Sequence, residues 1–438
     1  MPLEDCLTPT EASYIATNAY FTLKDWITGQ PTAGMETRAN VQNRVLGPGN
    51  AGAATPAGQT NPSLQHTALS GAELGKIFSG TTGAGTNTGF GYLLQFKQGT
   101  RRHIVVATRG TRPELGAPDL LTDARGAMTS FGDYGPVHKG FRRTFDSCMT
   151  SIGTDERLIM DADVVHCVGH SLGGAVATLI AAHFAALKKD VKLYTFGSPR
   201  VGAFGTFSAF HKEIKQHNIF RVAHDLDPIS LLGPYPYVHV NPSPRDAQNF
   251  TLPSPTGELF STANHDMNRY ITSVGAGKGG TWKAVGGYAQ QTDHDNAVLA
   301  KWLLHADNDP GWVQYASAKT LGILFKLFSH VLKNISTSLI LGLSAVDLLA
   351  EMLLAGMARA QAIAGQVYTL LKHAAKWAGI TVSAGADFTA QIIRRILDMM
   401  LSKLAQIGAL ALTVGSRGLL PLPLLVAGGW ALAQARGL

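Results

Sequence analysis

The sequence predicts an α/β fold with a mostly parallel sheet and helices on both faces, followed by an all-α C-terminal region that is apolar and basic. Short apolar segments alternate with helical stretches from Gly91 to about Val274, as in strands joined by crossover helices. Beyond the turn Asp309-Pro310-Gly311 the pattern changes to long helical stretches. We therefore expect two domains, 1–310 and 311–438. The strand candidates are Tyr92 to Phe96, His103 to Thr108, Asp163 to Val168, Lys192 to Gly197, Ile219 to Ala223 and Tyr237 to Val240.

The segment before these strands contains one helix and a long stretch of small residues. Thr8 begins the predicted helix, because Pro9 lies at its first turn and Glu11 completes a capping box. Residues 47–96 are rich in Gly, Ala, Thr, Asn and Pro, which predicts a Gly-rich surface insertion or a flexible loop. One short helical candidate, Leu74 to Phe78, lies inside this segment.

The positive charge of the chain is concentrated in the C-terminal region. The formal net charge is +7, and from Tyr315 onward 11 Lys and Arg stand against 4 Asp and Glu. Apolar residues recur at helical spacing from Leu321 to Leu339, while Lys319, Lys326 and Lys333 fall on the other face. A basic amphipathic helix favours a membrane surface over nucleic acid, because aromatic and basic residues are not interleaved here.

The rest of this region is also predicted to be helical. Two further stretches, Leu348 to Leu371 and Thr389 to Ile407, have similar patterns. Residues 418–435 form the longest uncharged run of the chain. Pro421 and Pro423 disfavour a straight membrane-spanning helix there, although the run approaches the roughly 20 residues that a bilayer requires.

Cysteine usage and the N-terminal residues bear on cofactors and compartment. The 3 cysteines, Cys6, Cys148 and Cys167, are too few and too scattered for a disulfide framework or a metal site, and no cofactor is expected. The N-terminus lacks the basic start and apolar core of a secretory signal peptide. We therefore expect synthesis in the cytoplasm, export by a route that needs no cleaved signal, and membrane association at the target.

The segment Gly169-His170-Ser171-Leu172-Gly173 is the strongest chemical signal in the sequence. It lies between the apolar run Val164 to Val168 and the small-residue helical stretch Gly174 to Ala182. That order of strand, sharp turn and helix is typical of a nucleophile elbow, in which glycines let the strand and the helix approach closely. Ser171 is therefore the predicted nucleophile.

A nucleophilic serine needs a general base and an acid that orients the base. In this architecture the chain order is serine, acid, histidine. Asp227 follows a predicted strand and is the preferred acid, with Asp225 as the alternative. His265 follows a long loop and precedes a short helix, which suits a general base, whereas His170 points the wrong way to serve its neighbour Ser171. The remaining candidates are interpreted as strand or packing residues: His166, His224 and His239.

An acyl-transfer site also needs donors for the oxyanion. The first is the backbone N–H of Leu172, the residue after the nucleophile. The second is expected from the loop after an earlier strand, where Thr111 offers an N–H and a hydroxyl. Removal of one such donor typically costs about 3 kcal/mol of transition-state stabilisation.

The residues above belong to a set of five motifs that occur in order along the chain: Ile104 to Thr111, Val137 to Phe141, Gly169 to Ala175, Thr195 to Gly202 and Arg221 to His224. This set resembles the class three lipase family of the α/β-hydrolase fold. The similarity covers about residues 90 to 275, and it implies Ser171, Asp227 and His265 as the triad with Thr111 and Leu172 at the oxyanion hole.

The resemblance also implies a lid, and the sequence departs from the family there. A helix at about Arg112 to Arg125 would cover the acyl pocket, with Leu115, Leu120 and Leu121 on its apolar side. The family usually has tryptophan after an aspartate in this region, whereas Leu120 follows Asp119. The Gly-rich insertion and the C-terminal region lie outside the similarity.

The expected function is therefore hydrolysis of carboxylic esters in lipids, by a phospholipase A-type enzyme or a triacylglycerol lipase at a membrane surface. An antibacterial effector delivered without a signal peptide fits this combination, and its expected partners are a secretion system and an inhibitor (immunity) protein, with no nucleic acid. One alternative is a membrane-inserting or pore-forming toxin whose C-terminal helices carry the activity. Another is a C-terminal bundle that packs on the hydrolase and touches no lipid.

Overall fold

The structure is a computed structural model of the whole chain. It describes residues 5–22, 72–82, 86–111, 127–203, 206–225, 227–233, 237–240, 248–255, 262–275, 280–288, 324, 327, 328, 331, 344–358, 361–381 and 388–415. The predicted lid at 112–125, the proposed boundary near 310 and the uncharged run 418–435 lie outside these residues.

A seven-stranded sheet forms the centre of the α/β part, in the order β1-β2-β3-β6-β7-β9-β11. Strands β3, β6, β7, β9 and β11 are parallel, whereas β1, β2 and β3 pair antiparallel, so the predicted mostly parallel sheet is confirmed. The strands are β1 Glu73–Thr82, β2 Thr86–Gln98, β3 Arg101–Thr108, β6 Val164–His170, β7 Asp190–Phe196, β9 Ile219–His224 and β11 Asn249–Leu252.

A smaller antiparallel sheet has the order β10-β8-β5-β4. It consists of β4 Met128–Ser130, β5 Pro136–His138, β8 Gly202–Ala203 and β10 Tyr237–Val238. The last of these was predicted as a strand, but it pairs in this second sheet.

Helices cover both faces of the main sheet. Helix α4 (Leu172–Ala186) starts one residue after β6, and nearly all of its residues are buried, because it packs against the strands in the core that also holds α2 (Lys139–Ile152). Helix α1 begins with the predicted capping box between Thr8 and Glu11, and it lies in the core on the opposite face with α6. The helices are α1 Pro9–Asn18, α2 Lys139–Ile152, α3 Glu156–Met160, α4 Leu172–Ala186, α5 Thr206–Ile214, α6 Met267–Val274 and α7 Trp282–Tyr288.

The predicted helix over Leu74 to Phe78 was wrong, and the part of the Gly-rich segment that the structure describes forms strands instead of a loop. Phe78 and Phe90 are fully buried, and Phe78 faces Gly91 across the antiparallel pair. A Cβ added at Gly91 would lie 2.5 Å from the Phe78 ring and 2.0 Å from the Ala107 carbonyl oxygen. The glycine therefore permits close strand approach, and strand glycines of this kind resemble loop glycines in a sequence.

The C-terminal region forms a helical bundle that shares a core with the α/β part. Ile229 and Leu232 are buried in the same cluster as the apolar side chains of the bundle. A second contact joins Leu348 to Met128, Ala203 and Tyr237. The packing against the α/β part that one alternative proposed is therefore observed. Its helices are α8 Ala345–Met357, α9 Gln361–Trp377 and α10 Ala390–Gly415.

The helical stretch predicted over Leu348 to Leu371 consists of two helices, α8 and α9. Leu349 and Leu371 are buried in one core. A continuous straight helix would separate these two residues by about 33 Å, so the break brings both apolar faces into the same cluster. Of the stretch predicted over Leu321 to Leu339, the structure describes four positions, all buried in this core: Leu324, Leu327, Phe328 and Val331. Within the described part of the chain, no helix combines the length and apolarity needed to span a bilayer.

Buried histidines predict a loss of stability in mild acid. Burial lowers the pKa of His166, His170 and His239 well below the ordinary value, so each stays neutral in the folded chain. Below about pH 6.5 these histidines take up a proton in the unfolded chain but not in the folded chain. The free energy of unfolding should therefore decrease as the pH is lowered, by up to about 1.4 kcal/mol per pH unit for each histidine. Urea unfolding between about pH 7.5 and about pH 5.5 measures this slope.

The control for this prediction is His217→Asn, because His217 is exposed and folding does not remove its ring from water. This variant should keep the slope of the parent chain. A free energy of unfolding that stays constant over the same range would contradict the prediction.

Candidate active site

Ser171 lies on the turn between β6 and α4 in a conformation that L-residues rarely adopt. Its φ is 58° and its ψ is −132°. The flanking glycines are required by close contacts, since a Cβ at Gly169 would lie 2.3 Å from the Gly173 carbonyl oxygen and a Cβ at Gly173 would lie 2.3 Å from the Thr108 carbonyl oxygen. This strained turn stands at the end of a buried strand, as in the predicted elbow, and strain of this kind is typical of functional sites.

The structure brings together the three residues that were predicted to carry the chemistry. The Ser171 hydroxyl lies 2.9 Å from His265 Nε2. His265 Nδ1 lies 2.8 Å from Asp227 Oδ2 and 2.9 Å from Oδ1. Ser171 and Asp227 are fully buried and His265 is 4% exposed. Since the carboxylate accepts a hydrogen bond from Nδ1–H, Nε2 is left as the acceptor for the serine proton, which is the tautomer that a general base requires.

The contacts of the two candidate acids separate them. Asp225 Oδ1 accepts hydrogen bonds from the backbone N–H and the hydroxyl of Ser254, at 3.0 and 2.6 Å. Asp227 instead faces His265 and accepts a further bond from the Ile229 N–H at 2.8 Å. The acid in contact with the histidine is therefore Asp227, and Asp225 ties its loop to Ser254, two residues after β11.

Tyr270 is a neighbour of Asp227 that the sequence did not reveal. Its hydroxyl donates to Asp227 Oδ2 at 2.6 Å and accepts from the His224 backbone N–H at 3.0 Å. Burial, followed by the negative charge of Asp227, raises the pKa of Tyr270 well above its usual value, so the phenol keeps its proton. The one feature of the sequence that could have indicated this role of Tyr270 is its position on the helix that follows His265.

Gly197 lets the acid and the base approach the end of β7. Its φ is +54°, and a Cβ there would lie 2.5 Å from Asp227 Oδ2 and 3.0 Å from His265 Nδ1. The glycine in the segment Thr195-Phe196-Gly197 is therefore required both by the backbone conformation and by the space that the carboxylate and the imidazole occupy.

The two predicted oxyanion donors follow Ser171 and Gly110 in the chain, and these two residues pack closely. Leu172 is the first residue of α4, where a backbone N–H points out of the helix end. Thr111 follows Gly110, and a Cβ at Gly110 would lie only 2.6 Å from the Ser171 Cβ. Among the described residues, no group hydrogen-bonds to the buried Thr111 hydroxyl. The described residues therefore leave this hydroxyl available as a donor.

Arg109 holds the backbone before Thr111, a role that the sequence did not predict. Its side chain is buried, and its guanidinium donates to the carbonyl oxygens of Gly89 at 2.6 Å and Gly110 at 2.8 Å, and to the Thr88 hydroxyl. A buried guanidinium with several fixed acceptors restricts the strand end that carries the candidate donor.

Thr111→Val is expected to lower kcat for ester hydrolysis by about 10²- to 10³-fold, because it removes the hydroxyl that is predicted to donate to the developing charge. The free energy of unfolding should not fall, since the hydroxyl has no hydrogen bond among the described residues. Steady-state kinetics and urea unfolding measure the two effects. Thr111→Ser is the control and should keep most of the activity; equal losses in both variants would exclude the hydroxyl as a donor.

Residues 105–235 match the family profile described as lipase (class 3). The resemblance predicted from the motifs is thus confirmed for this part of the chain, which includes Thr111, Ser171, Leu172 and Asp227 and ends before His265.

Similar proteins include two curated lipolytic enzymes. "Secreted mono- and diacylglycerol lipase 1" of Fusarium solani is 32% identical over 176 residues, which cover 36% of this chain and 48% of the relative. "Phospholipase A1-II 4" of Oryza sativa subsp. japonica is 29% identical over 232 residues, which cover 46% of this chain and 56% of the relative. The chain thus spans about half the length of these curated relatives. A solved structure of a mono- and diacylglycerol lipase from Aspergillus oryzae is 22% identical, with a TM-score of 0.37 and coverage of 57% of this chain and 80% of that chain.

Proposed function

We propose, starting from the class 3 lipase pattern of residues 105–235, that the chain hydrolyses carboxylic esters of lipids with a Ser-His-Asp triad. The observation that carries this proposal is the 2.9 Å contact between the Ser171 hydroxyl and His265 Nε2, together with the 2.8 Å contact between His265 Nδ1 and Asp227. Serine, base and acid in one hydrogen-bonded series are the arrangement that acyl transfer through an acyl-enzyme needs.

The reaction follows from these contacts in two steps. Ser171 Oγ attacks the ester carbonyl carbon while His265 takes the serine proton, and the Leu172 N–H with Thr111 stabilises the oxyanion. Collapse of the tetrahedral intermediate breaks the bond to the alcohol oxygen, which receives the proton from His265. Water then attacks the acyl-enzyme with His265 again as the base, which releases the fatty acid and restores Ser171. Asp227 orients His265 through the contact with Nδ1 throughout.

We propose membrane glycerophospholipids as the substrate class, with triacylglycerol as the alternative. The two curated relatives are named a mono- and diacylglycerol lipase and a phospholipase A1, so partial acylglycerols and phospholipids both appear in the names of similar proteins. The excess positive charge of the C-terminal region favours an anionic surface. On α10, exposed Arg395 and Lys403 lie one turn on either side of Met399, which is 40% exposed. Basic residues around an apolar one suit an anionic lipid surface.

The products released from defined lipids test this proposal. The purified chain, incubated with vesicles of phosphatidylethanolamine and phosphatidylglycerol, should release fatty acid and lysophospholipid, and it should act more slowly on a triacylglycerol emulsion. Ser171→Ala should abolish both reactions. Equal release by the parent chain and this variant would refute the serine mechanism, and faster hydrolysis of triacylglycerol would refute the phospholipid preference.

The pore-forming alternative predicts a different result. Vesicles of ether lipids contain no ester bond, so leakage from them would reveal membrane insertion without hydrolysis. We expect no leakage, because the described bundle side chains pack against one another and against Ile229 and Leu232. Leakage that Ser171→Ala retains would favour the pore.

We also propose that the chain acts on bacterial membranes as an effector, with a secretion system for delivery and an immunity protein as its inhibitor. The support is the combination of a lipid esterase with a basic helical region, since bacterial membranes are anionic. Expression directed to the periplasm of a test bacterium should stop growth, and expression of Ser171→Ala there should not. Growth unaffected by the active chain in both cytoplasm and periplasm would refute this role.

A further inference from the structure

The turn that carries His265 is held by two other histidines, which the proposed mechanism does not use. His170 Nε2 lies 3.0 Å from the His265 carbonyl oxygen, and His224 Nδ1 lies 2.7 Å from the Asn264 carbonyl oxygen. The two side chains come from the ends of different strands, β6 and β9. Two consecutive carbonyls of the base-bearing turn are therefore each bound by an imidazole.

These contacts fix the protonation of both rings. A carbonyl oxygen only accepts, so His170 must have its proton on Nε2 and His224 on Nδ1. Burial lowers the pKa of His170 well below its usual value and also lowers that of His224, so each ring is neutral and has one donor and one acceptor. The neighbouring His265 also lowers the pKa of His170. The remaining nitrogen of each ring is thus an acceptor.

A hydroxyl donates a hydrogen bond to each of these acceptor nitrogens. The Tyr20 hydroxyl lies 2.7 Å from His170 Nδ1 and therefore donates to it. The Ser273 hydroxyl lies 2.9 Å from His224 Nε2 in the same way. In the other tautomer of His170 the proton would lie on Nδ1, and the Nε2 lone pair would then face a lone pair of the His265 carbonyl oxygen. The Tyr20 hydroxyl opposes this change because it donates to Nδ1.

His170 also contacts the ring of His265. The two imidazoles stack with centroids 4.5 Å apart and planes 30° apart. His265 becomes cationic when it takes the Ser171 proton, so a second positive charge at this distance would oppose the reaction. A neutral His170 holds the base without this repulsion.

Tyr20 is itself placed by the N-terminal segment. Trp282 Nε1 donates to the Leu7 carbonyl oxygen at 2.8 Å, and the Tyr92 hydroxyl donates to the Ile15 carbonyl oxygen at 3.1 Å. Tyr20 lies in the single 3-10 turn Ala19–Phe21 that follows α1, and a Cβ at Gly110 would lie 2.3 Å from its hydroxyl. The hydroxyl thus lies beside the strand end that carries Thr111.

We infer that His170 is a positioning residue for the proposed reaction: its Nε2–H holds the carbonyl of His265, and Tyr20 selects the tautomer that makes this bond. This inference rests on the proposed function for its kinetic consequence. The hydrogen-bond assignment itself can be tested whether or not the chain hydrolyses lipids.

Tyr20→Phe tests the tautomer. The ¹⁵N chemical shifts of His170 in labelled protein should show a proton on Nε2 in the parent chain and a mixture of both tautomers in the variant. kcat should fall about tenfold, the effect of one lost hydrogen bond of about 1.4 kcal/mol, while KM stays constant. Tyr14→Phe is the matched control, because Tyr14 lies in α1 and its hydroxyl has no hydrogen bond among the described residues. It should leave kcat and the His170 spectrum unchanged.

A pair of substitutions at His170 tests the bond to His265. His170→Gln retains an N–H donor at similar reach, whereas His170→Met has similar length and no donor. The glutamine variant should keep several-fold more kcat than the methionine variant. Equal activity of the two, or an unchanged His170 spectrum in Tyr20→Phe, would overturn the inference. A parent chain that hydrolyses no ester, with the expected spectra, would refute the proposed function and leave the tautomer assignment standing.

Discussion

Ser171→Ala is expected to lower kcat for ester hydrolysis by about a million-fold, because the nucleophile and its base act as a unit. Ser171→Gly should be equally inactive, yet its free energy of unfolding should exceed that of Ser171→Ala by about 1–2 kcal/mol. The reason is the backbone conformation at this position, where φ is 58° and any residue with a Cβ is strained. Kinetics on a soluble ester and urea unfolding of the two variants measure these effects.

The comparison between glycine and alanine is the critical one, because both variants lack the hydroxyl and its contact with His265. Their difference in stability therefore reports the backbone strain alone, apart from the greater freedom of glycine in the unfolded chain, which acts in the opposite direction. An alanine variant as stable as the glycine variant would show that the turn stores little strain.

Gly197→Ala is expected to lower kcat/KM by at least about 100-fold, because its Cβ would lie 2.5 Å from Asp227 Oδ2 and would displace the acid from His265. The substitution should also lower the free energy of unfolding. The loss should be about 1–3 kcal/mol larger than the loss caused by backbone strain at positive φ alone. Initial rates and urea unfolding provide the two measurements.

Gly153→Ala is a matched control for this substitution. Gly153 has a φ of +53°, close to the +54° of Gly197, but a Cβ there would have no neighbour within 4 Å. The control should be destabilised by its backbone conformation and should keep the activity of the parent chain. If the two variants lose the same stability and the same activity, the space beside Asp227 does not require glycine.

The parts of the site that the sequence predicted are those with local signals. The turn at Ser171 depends on glycines two positions away on either side, and the strand and helix that flank it are continuous apolar segments. Asp227 and His265 were predictable from the order of the chain in this architecture. The choice between Asp225 and Asp227 needed the turn geometry, because residues two apart share a direction only if the backbone stays extended.

The parts that the sequence did not predict depend on contacts between distant segments. Tyr20 and His170 are 150 positions apart, and neither type of residue at its own position indicates a hydrogen bond to the other. Strand β1 and the first part of β2 were interpreted as a loop with one short helix, because the close approach that requires Gly91 exists only once Phe78 lies opposite. Composition gives no information about such pairings.

The shared core of the bundle also has a consequence for the order of protein synthesis. Ile229 donates its backbone N–H to Asp227, while its side chain is buried with Leu324, Leu349 and Leu397 of the C-terminal region. A ribosome produces the loop around Asp227 long before it produces these leucines, and folding proceeds from the N-terminus. The nascent chain therefore carries Ser171 and His265 for a period in which the apolar side of the acid loop has no cover, and the site gains its final support only once the helices that contain these leucines have been made.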